Sequence, residues 1–116
     1  MKILVIGNMG YVGSVVVREL ALRHPSATLH GYDAAYFAHC LTGAELLPER
    51  YLAQQFMGDV RDIPTDFFKG YTAVVQLAAI SNDPMGDRFA AVTAEVNQQA
   101  TVDIAKAAAQ AGVENF

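Results

Sequence analysis

The sequence has little cysteine, no excess of basic charge and no long apolar run. Its one cysteine, Cys40, excludes an internal disulfide and fits a reducing compartment. The formal net charge of -4 argues against nucleic acid or an anionic membrane as the main partner. The apolar run at residues 3–6 is far shorter than a signal-peptide core or the roughly 18 apolar residues of a membrane span. We therefore expect a soluble cytoplasmic protein without nucleic-acid or membrane partners.

The sequence also gives no indication of a metal site or of a reactive thiol. His24, His30 and His39 are scattered, and neither a cysteine nor a carboxylate completes a metal-ligand spacing with them. No activating base lies near Cys40 in the sequence, which favours a buried or incidental thiol. We expect no bound metal.

Apolar strand-like runs alternate along the chain with helical patterns. Hydrophobic residues make up 53% of the 116 residues, enough for the core of one small domain. The predicted strands are 3–6, 28–32, 54–57, 73–77 and the beginning of a fifth at 113–116. The predicted helices are 11–23 and 88–111, with one or two helical turns in 63–69. The buried stripe predicted for the long helix consists of Phe89, Val92, Val96, Ala100, Ile104, Ala107 and Ala111.

Strands that alternate with helices pair in parallel through right-handed crossovers. The sequence therefore predicts an α/β fold, a Rossmann-type doubly wound parallel sheet formed by one domain over residues 1–116. The less regular parts are a short helix at 34–41, a loop or helical turn at 43–48, and a loop at 78–87. Because the fifth strand has barely begun at Phe116, we expect the chain to be the N-terminal portion of a longer domain.

Three glycines follow the first strand and open the first helix. Gly7 permits a tight turn, Gly10 leaves room for a pyrophosphate, and Gly13 lets the helix pack against the sheet. The backbone N–H groups of Tyr11 and Val12 would face the phosphates at the positive end of the helix. The alternative is a glycine-rich turn that serves packing alone.

An acid stands at the end of the second predicted strand. Asp33 lies at the distance of about 20 residues that is typical of dinucleotide-binding domains, where a carboxylate accepts hydrogen bonds from the adenosine ribose. The same carboxylate repels a 2′-phosphate, so the sequence predicts NAD rather than NADP as the cofactor. The alternative for Asp33 is a turn residue that caps the next segment.

Three further motifs follow in order along the chain: Gly-Asp-Val-Arg-Asp at 58–62, Val-Val-Gln-Leu-Ala-Ala at 74–79 and Val-Asn-Gln-Gln-Ala-Thr at 96–101. With the Gly-x-x-Gly-x-x-Gly turn, they resemble the extended short-chain dehydrogenase/reductase family, and within it the sugar-nucleotide epimerases and dehydratases. The resemblance covers essentially the whole chain.

The resemblance implies further cofactor contacts. Asp59 would accept a hydrogen bond from the adenine amino group, with the backbone of Val60 beside it. Ser81 would reach the ribose or substrate side, and Asn97 would lie close to the nicotinamide half. The residues that would line the cofactor past the fourth strand are Leu77, Ala78 and Ala79.

Each of these positions has a structural alternative. Asp59 could stabilise its own turn, and Asn97 could be an exposed polar residue on an amphipathic helix. The small residues at 78–79 could serve helix packing, and the segment from Ser81 to Pro84 could be an ordinary loop and helix cap.

The family resemblance implies a catalytic Tyr-x-x-x-Lys pair, and none of the five tyrosines here has lysine four positions later. We therefore predict no catalytic residue within these 116 residues and expect the catalytic and substrate-binding parts to be absent from this chain. The intact enzyme would oxidise the hydroxyl of a nucleotide-linked sugar with NAD and pass through a keto sugar. A homodimer is common in the family. The alternatives are a reductase of a ketone or alcohol and a non-catalytic regulator that senses the dinucleotide.

Overall fold

The computed structural model describes residues 1–41, 47–81 and 88–116. Four parallel strands form one sheet in the order β3-β2-β1-β4. Their bounds are β1 Lys2–Ile6, β2 Thr28–Asp33, β3 Gln54–Met57 and β4 Ala73–Gln76. The predicted parallel sheet and its strands are confirmed, with bounds that differ by one residue at most.

Helices cover both faces of the sheet. The bounds are α1 Tyr11–Arg23, α2 Ala90–Ala94 and α3 Thr101–Gln110. A π-helical segment, Glu95–Ala100, joins α2 to α3. Short 3-10 turns lie at Ala38–Leu41, Pro48–Tyr51, Val60–Asp62 and Thr65–Phe68. Within the described ranges, no helix has the length and apolar character needed to cross a membrane.

The core lies on the two faces of β1, whose successive side chains point in opposite directions. Ile3 and Val5 pack with Val17 of α1 on one face. Leu4 and Ile6 pack on the other face, together with the buried side of α3. Each fully buried aliphatic side chain contributes about 1.5–3 kcal/mol relative to exposure. Burial on both faces confirms the doubly wound architecture and explains the uninterrupted apolar run of β1.

Two predicted helices differ from the structure. The predicted helix 34–41 is wrong over its first half, because Ala35 has a φ of 62° and its N–H donates to Asp33 Oδ1 over 2.7 Å. That left-handed residue interrupts any right-handed helix. The predicted continuous helix 88–111 is interrupted by the π-helical segment. Of the loop predictions, 42–46 and 82–87 lie outside the described residues.

The segment after α3 lies beside β4. Asn115 forms a parallel bridge with Ala73, and the N–H of Val74 donates to the carbonyl of Asn115 over 2.9 Å. This pairing agrees with the predicted beginning of a fifth strand. The strand order reverses between β1 and β4, so a crevice forms at their carboxyl ends, where open α/β sheets bind ligands.

Candidate functional site

The turn after β1 requires glycine at its first and last positions. Gly7 has a φ of 84°, and a Cβ there would lie 2.5 Å from the backbone nitrogen of Ala78. A Cβ on Gly13 would lie 2.1 Å from the carbonyl oxygen of Gly7. The close approach of β4 and of α1 therefore explains both residues, as the sequence predicts for a tight turn and for helix packing.

The middle glycine is different. Gly10 has a φ of -83°, which any residue adopts. Among the described residues, a Cβ there would meet only the Gly7 carbonyl oxygen, at an ordinary 3.4 Å. The protein's own packing would therefore tolerate a larger residue at position 10. A requirement for glycine there would come from a molecule bound against the chain.

The N-terminus of α1 adjoins Gly10. Tyr11 and Val12 occupy its first turn with exposed side chains, and within the described residues that turn has neither an acidic residue nor a side-chain cap. The first N–H groups of a helix have no partner inside it and carry a partial positive charge. This end of α1 is suited to an anion.

The carboxylate of Asp33 lies at the carboxyl end of β2 and faces the glycine turn. Its Oδ2 accepts from the N–H of Met9 over 2.9 Å, and its Oδ1 accepts from the N–H of Ala35 over 2.7 Å. A carboxylate offers about four acceptor positions, so about two remain for a ligand. The backbone therefore fixes the orientation of Asp33 and leaves it able to bind hydroxyl groups.

A second carboxylate, Asp59, lies in the turn after β3 and is held by Arg61. The guanidinium donates to both oxygens, from Nη2 to Oδ2 over 2.7 Å and from Nε to Oδ1 over 3.0 Å. Hydrogen bonds from the Arg61 side chain lower the pKa of Asp59, against the opposing effect of partial burial. Arg61 Nη1 also donates to Glu95 Oε2 over 2.8 Å, which joins this turn to the π-helical segment.

The backbone after β4 is fixed by two amide side chains. Gln76 accepts from the N–H of Ala78 and donates to its carbonyl, each over 3.2 Å. Asn97 accepts from the N–H of Ile80 over 2.8 Å and donates to its carbonyl over 2.9 Å. These amides bind backbone N–H and carbonyl groups that a neighbouring strand would otherwise bind where β4 ends. They therefore fix the backbone conformation from Ala78 to Ile80.

These parts enclose a cavity of about 450 Å³ at the carboxyl ends of the strands. Eight residues predicted from the sequence line it: Gly7, Gly10, Asp33, Asp59, Val60, Leu77, Ala78 and Ala79. The other lining residues are Ala34, Tyr36, Phe37, Arg61, Ile80, Phe89, Val92 and Val96. The cavity therefore combines two carboxylates with a largely apolar wall, as small-molecule sites do.

Five predicted site residues are not in the lining. Tyr11 and Val12 are exposed at the start of α1, whereas Gly13, the next residue of the same helix, is buried. Ser81 is exposed beyond Ile80. Asn97 acts on the cavity wall through the Ile80 backbone.

Several lining residues were missed because their sequence signal suggested another role. Phe89 and Val92 follow the periodicity of the predicted buried stripe, yet they are 46% and 38% exposed, so that part of the stripe is wrong as a core prediction. They face the cavity, whereas Ile104 and Ala107 further along are buried in the core. Tyr36 and Phe37 carried no signal beyond their position after Asp33.

A glycine turn at the N-terminus of a helix, an acid at the end of β2 and a cavity at the strand-order reversal are the features of a dinucleotide-binding domain. Residues 3–116 match the model of the NAD dependent epimerase/dehydratase family, and the chain belongs to that family. This match confirms the family resemblance of the motifs and the predicted cofactor, NAD. Among curated proteins, the comparison found no match.

Solved structures with the same fold include Pal from Bacillus thuringiensis, at 24% identity and a TM-score of 0.80 over 97% of this chain and 37% of that one. The dTDP-glucose 4,6-dehydratase DesIV from Streptomyces venezuelae, with NAD and TYD bound, is 28% identical, with a TM-score of 0.77 over 98% of this chain and 37% of that one. MoeE5 in complex with UDP-glucose and NAD is 26% identical, with a TM-score of 0.75 over 98% of this chain and 34% of that one. The chain thus spans about a third of the length of these proteins.

Proposed function

We propose that the cavity binds NAD and that the chain is the dinucleotide-binding part of an enzyme that epimerises or dehydrates a nucleotide-linked sugar. The observation that carries the proposal is Gly10. The protein's own packing does not require glycine at this position. Gly10 also adjoins the N-terminus of α1, which has no side-chain cap within the described part of the chain. That combination fits a pyrophosphate in close contact with backbone N–H groups.

The remaining residues divide the cavity between the two ends of the dinucleotide. In this proposal, Tyr11 and Val12 donate backbone N–H groups to the phosphates, and Asp33 accepts from the adenosine ribose. Asp59, beside the Val60 backbone, accepts from the adenine amino group. Because Arg61 already uses about three of the four acceptor positions on Asp59, about one remains for such a donor.

The other end of the cavity would hold the nicotinamide half. Leu77, Ala78 and Ala79 supply an apolar wall, and Asn97 holds that wall through Ile80. Ser81 lies next along the chain, on the ribose or substrate side. Bound NAD supplies hydride acceptance and return in this family, while this chain's residues bind and orient it.

A nucleotide-linked sugar is proposed as the substrate on the basis of similar proteins. DesIV is a dTDP-glucose 4,6-dehydratase, and MoeE5 was solved with UDP-glucose. Both proteins are about three times as long as this chain, so we propose the reaction for a protein of that length. For the 116 residues given, which contain no Tyr-x-x-x-Lys, we propose binding without turnover.

Titration calorimetry with NAD and NADP tests the cofactor site. We expect NAD to bind more tightly, because the Asp33 carboxylate repels a 2′-phosphate and accepts from a 2′-hydroxyl. Asp33→Asn removes the charge and should reduce the preference about tenfold or more, since hydrogen bonds to charged groups contribute roughly 1.5–3 kcal/mol. Asp66→Asn, at an exposed acid, is the matched control and should keep the preference.

Tighter binding of NADP than of NAD by the unaltered protein would contradict the proposal. The sugar part is tested on the NAD complex of a protein of the length for which the reaction is proposed, by titration with UDP-glucose and dTDP-glucose and with glucose as the control. Equal responses to all three would count against a nucleotide-linked substrate.

A further inference from the structure

A pair of amide side chains lies beneath the glycine turn, apart from the residues that line the cavity. Asn8 is fully buried, and its Nδ2 donates to Gln55 Oε1 over 2.6 Å. Gln55 Nε2 donates in return to Asn8 Oδ1 over 3.3 Å and to the carbonyl of Phe56 over 2.8 Å. A buried polar group is costly unless it is paired, so Asn8 depends on a residue 47 positions away.

The pair crosses β2 at a glycine. Gly31 pairs with Val5 of β1 and with Gln55 of β3. A Cβ on Gly31 would lie 2.5 Å from Gln55 Oε1 and 2.6 Å from Asn8 Cγ. The missing side chain of Gly31 therefore opens the passage through which the turn after β1 reaches the third strand.

The backbone of the turn connects Asn8 to Asp33 through the next residue along the chain. The next residue, Met9, donates its N–H to Asp33 Oδ2 over 2.9 Å. The backbone of Asn8 has little room to move, because its Cα lies 2.7 Å from where a Cβ on Gly13 would be. With the backbone confined below α1 and the side chain held by Gln55, the Met9 N–H has a fixed direction, and so has the carboxylate that it binds.

We propose that Asn8 and Gln55 are positioning residues that set the preference of the site for NAD over NADP by fixing the orientation of Asp33 through Met9. This inference rests on the proposed NAD-binding function. It assigns selectivity to two side chains that do not touch the cofactor, one of them on a strand that carries no part of the glycine motif.

Gln55→Met tests the proposal, because it keeps a side chain of similar length and removes the three hydrogen bonds of the Gln55 amide. We expect the ratio of the NADP to the NAD dissociation constant to fall about fivefold or more, the effect of losing one or two hydrogen bonds of about 1 kcal/mol each. Gln54→Met is the matched control: Gln54 is the exposed neighbour on the same strand, and its substitution should leave the ratio unchanged.

Gly31→Ala reaches the same pair from the other side. Its Cβ would displace both the flexible Gln55 amide and the buried Asn8 amide, so it breaks the pair at some cost in stability. The ratio should fall as it does for Gln55→Met. A lower melting temperature with an unchanged ratio in these variants overturns the inference, since a purely structural pair would have that effect.

Failure of the proposed function has a different signature. If the unaltered protein does not bind NAD, or prefers NADP, the proposed function fails before any variant is compared. If it prefers NAD and the ratio survives in both Gln55→Met and Gly31→Ala, only the positioning role is wrong.

Discussion

Glycine stands at the three positions of the turn for different physical reasons. Gly7 and Gly13 are required by backbone contacts at 2.5 Å and 2.1 Å from where a Cβ would lie, and these contacts exist within the chain itself. Gly10 has an ordinary φ and space for a methyl group. At the scale of single residues, stability and ligand binding can therefore be separated by choosing which glycine is replaced.

We predict that Gly10→Val abolishes dinucleotide binding and leaves the protein folded, because the added side chain occupies the proposed phosphate position. Gly13→Ala should lower the free energy of unfolding by about 1–3 kcal/mol, the usual cost of overpacking. Urea denaturation and calorimetry on both variants check the two outcomes. Normal NAD binding by Gly10→Val would show that the phosphate position is misassigned.

At the level of single residues, the sequence predicted those features that local rules specify. A turn glycine, an acid at a strand end and small residues after a strand follow from geometry common to dinucleotide-binding folds. The pairing of Asn8 with Gln55 and of Arg61 with Glu95 did not follow. These contacts join residues 47 and 34 positions apart, and neither composition nor periodicity indicates which polar side chains meet.

Among the elements, the sequence did not predict the π-helical segment Glu95–Ala100, because it indicated one continuous helix there. Such segments often occur at functional sites, and here Glu95 binds Arg61 while Asn97 binds both polar groups of Ile80. The periodicity of the long helix was read as one buried face. The structure divides it into a start that faces the cavity and a second half, α3, that packs in the core.

We predict that Asn97→Ala speeds hydrogen exchange at the Ile80 amide about five- to tenfold, the equivalent of one lost hydrogen bond of about 1 kcal/mol. NAD affinity should fall with it, because Ile80 lines the cavity. Gln98→Ala is the control, an exposed residue of the same segment. Unchanged exchange at Ile80 would show that the loop after β4 does not depend on this amide.

At the scale of the whole domain, the titratable side chain of His30 lies in the core and should make stability depend on pH. His30 of β2 is 8% exposed, and its Nδ1 lies 2.8 Å from the hydroxyl of Tyr71, which precedes β4. Burial, and to a lesser extent the nearby charge of Lys2, lowers the pKa of His30 below 6.5. Burial also raises the pKa of Tyr71 to about 12, so the phenol stays neutral.

The sign of the pH effect follows from these directions. In the unfolded chain His30 takes up a proton near its ordinary pKa of about 6.5, whereas the folded protein resists it until a lower pH. The unfolded state therefore binds more protons in this window. The stability that neutral His30 contributes is fully present above about pH 6.5 and is lost as the pH falls towards the lowered pKa.

We predict that the free energy of unfolding, measured in urea, decreases from about pH 7.5 to about pH 5.5. His30→Gln should reduce this dependence, because its amide can still bond Tyr71 and does not titrate. His24→Gln, at an exposed histidine, should retain it. An identical pH profile for His30→Gln and the unaltered protein would exclude His30 as the source.

The whole fold was more predictable than any one site. The alternation of strands and helices, the parallel sheet and the two-sided core follow from apolar patterns that are repeated along the chain. The turn at Ala35 could not be predicted from such patterns. Its left-handed backbone is stabilised by a hydrogen bond to Asp33, whereas alanine itself disfavours that conformation.

The carboxylate of Asp33 is held between two backbone N–H groups of the protein itself. The entropy of ordering this side chain and its turn is therefore lost during folding, and binding need not supply it again. A preorganised site of this kind gains affinity through slower dissociation rather than faster capture. Substitutions that loosen the turn should thus shorten the residence time of the dinucleotide well before they change its association rate.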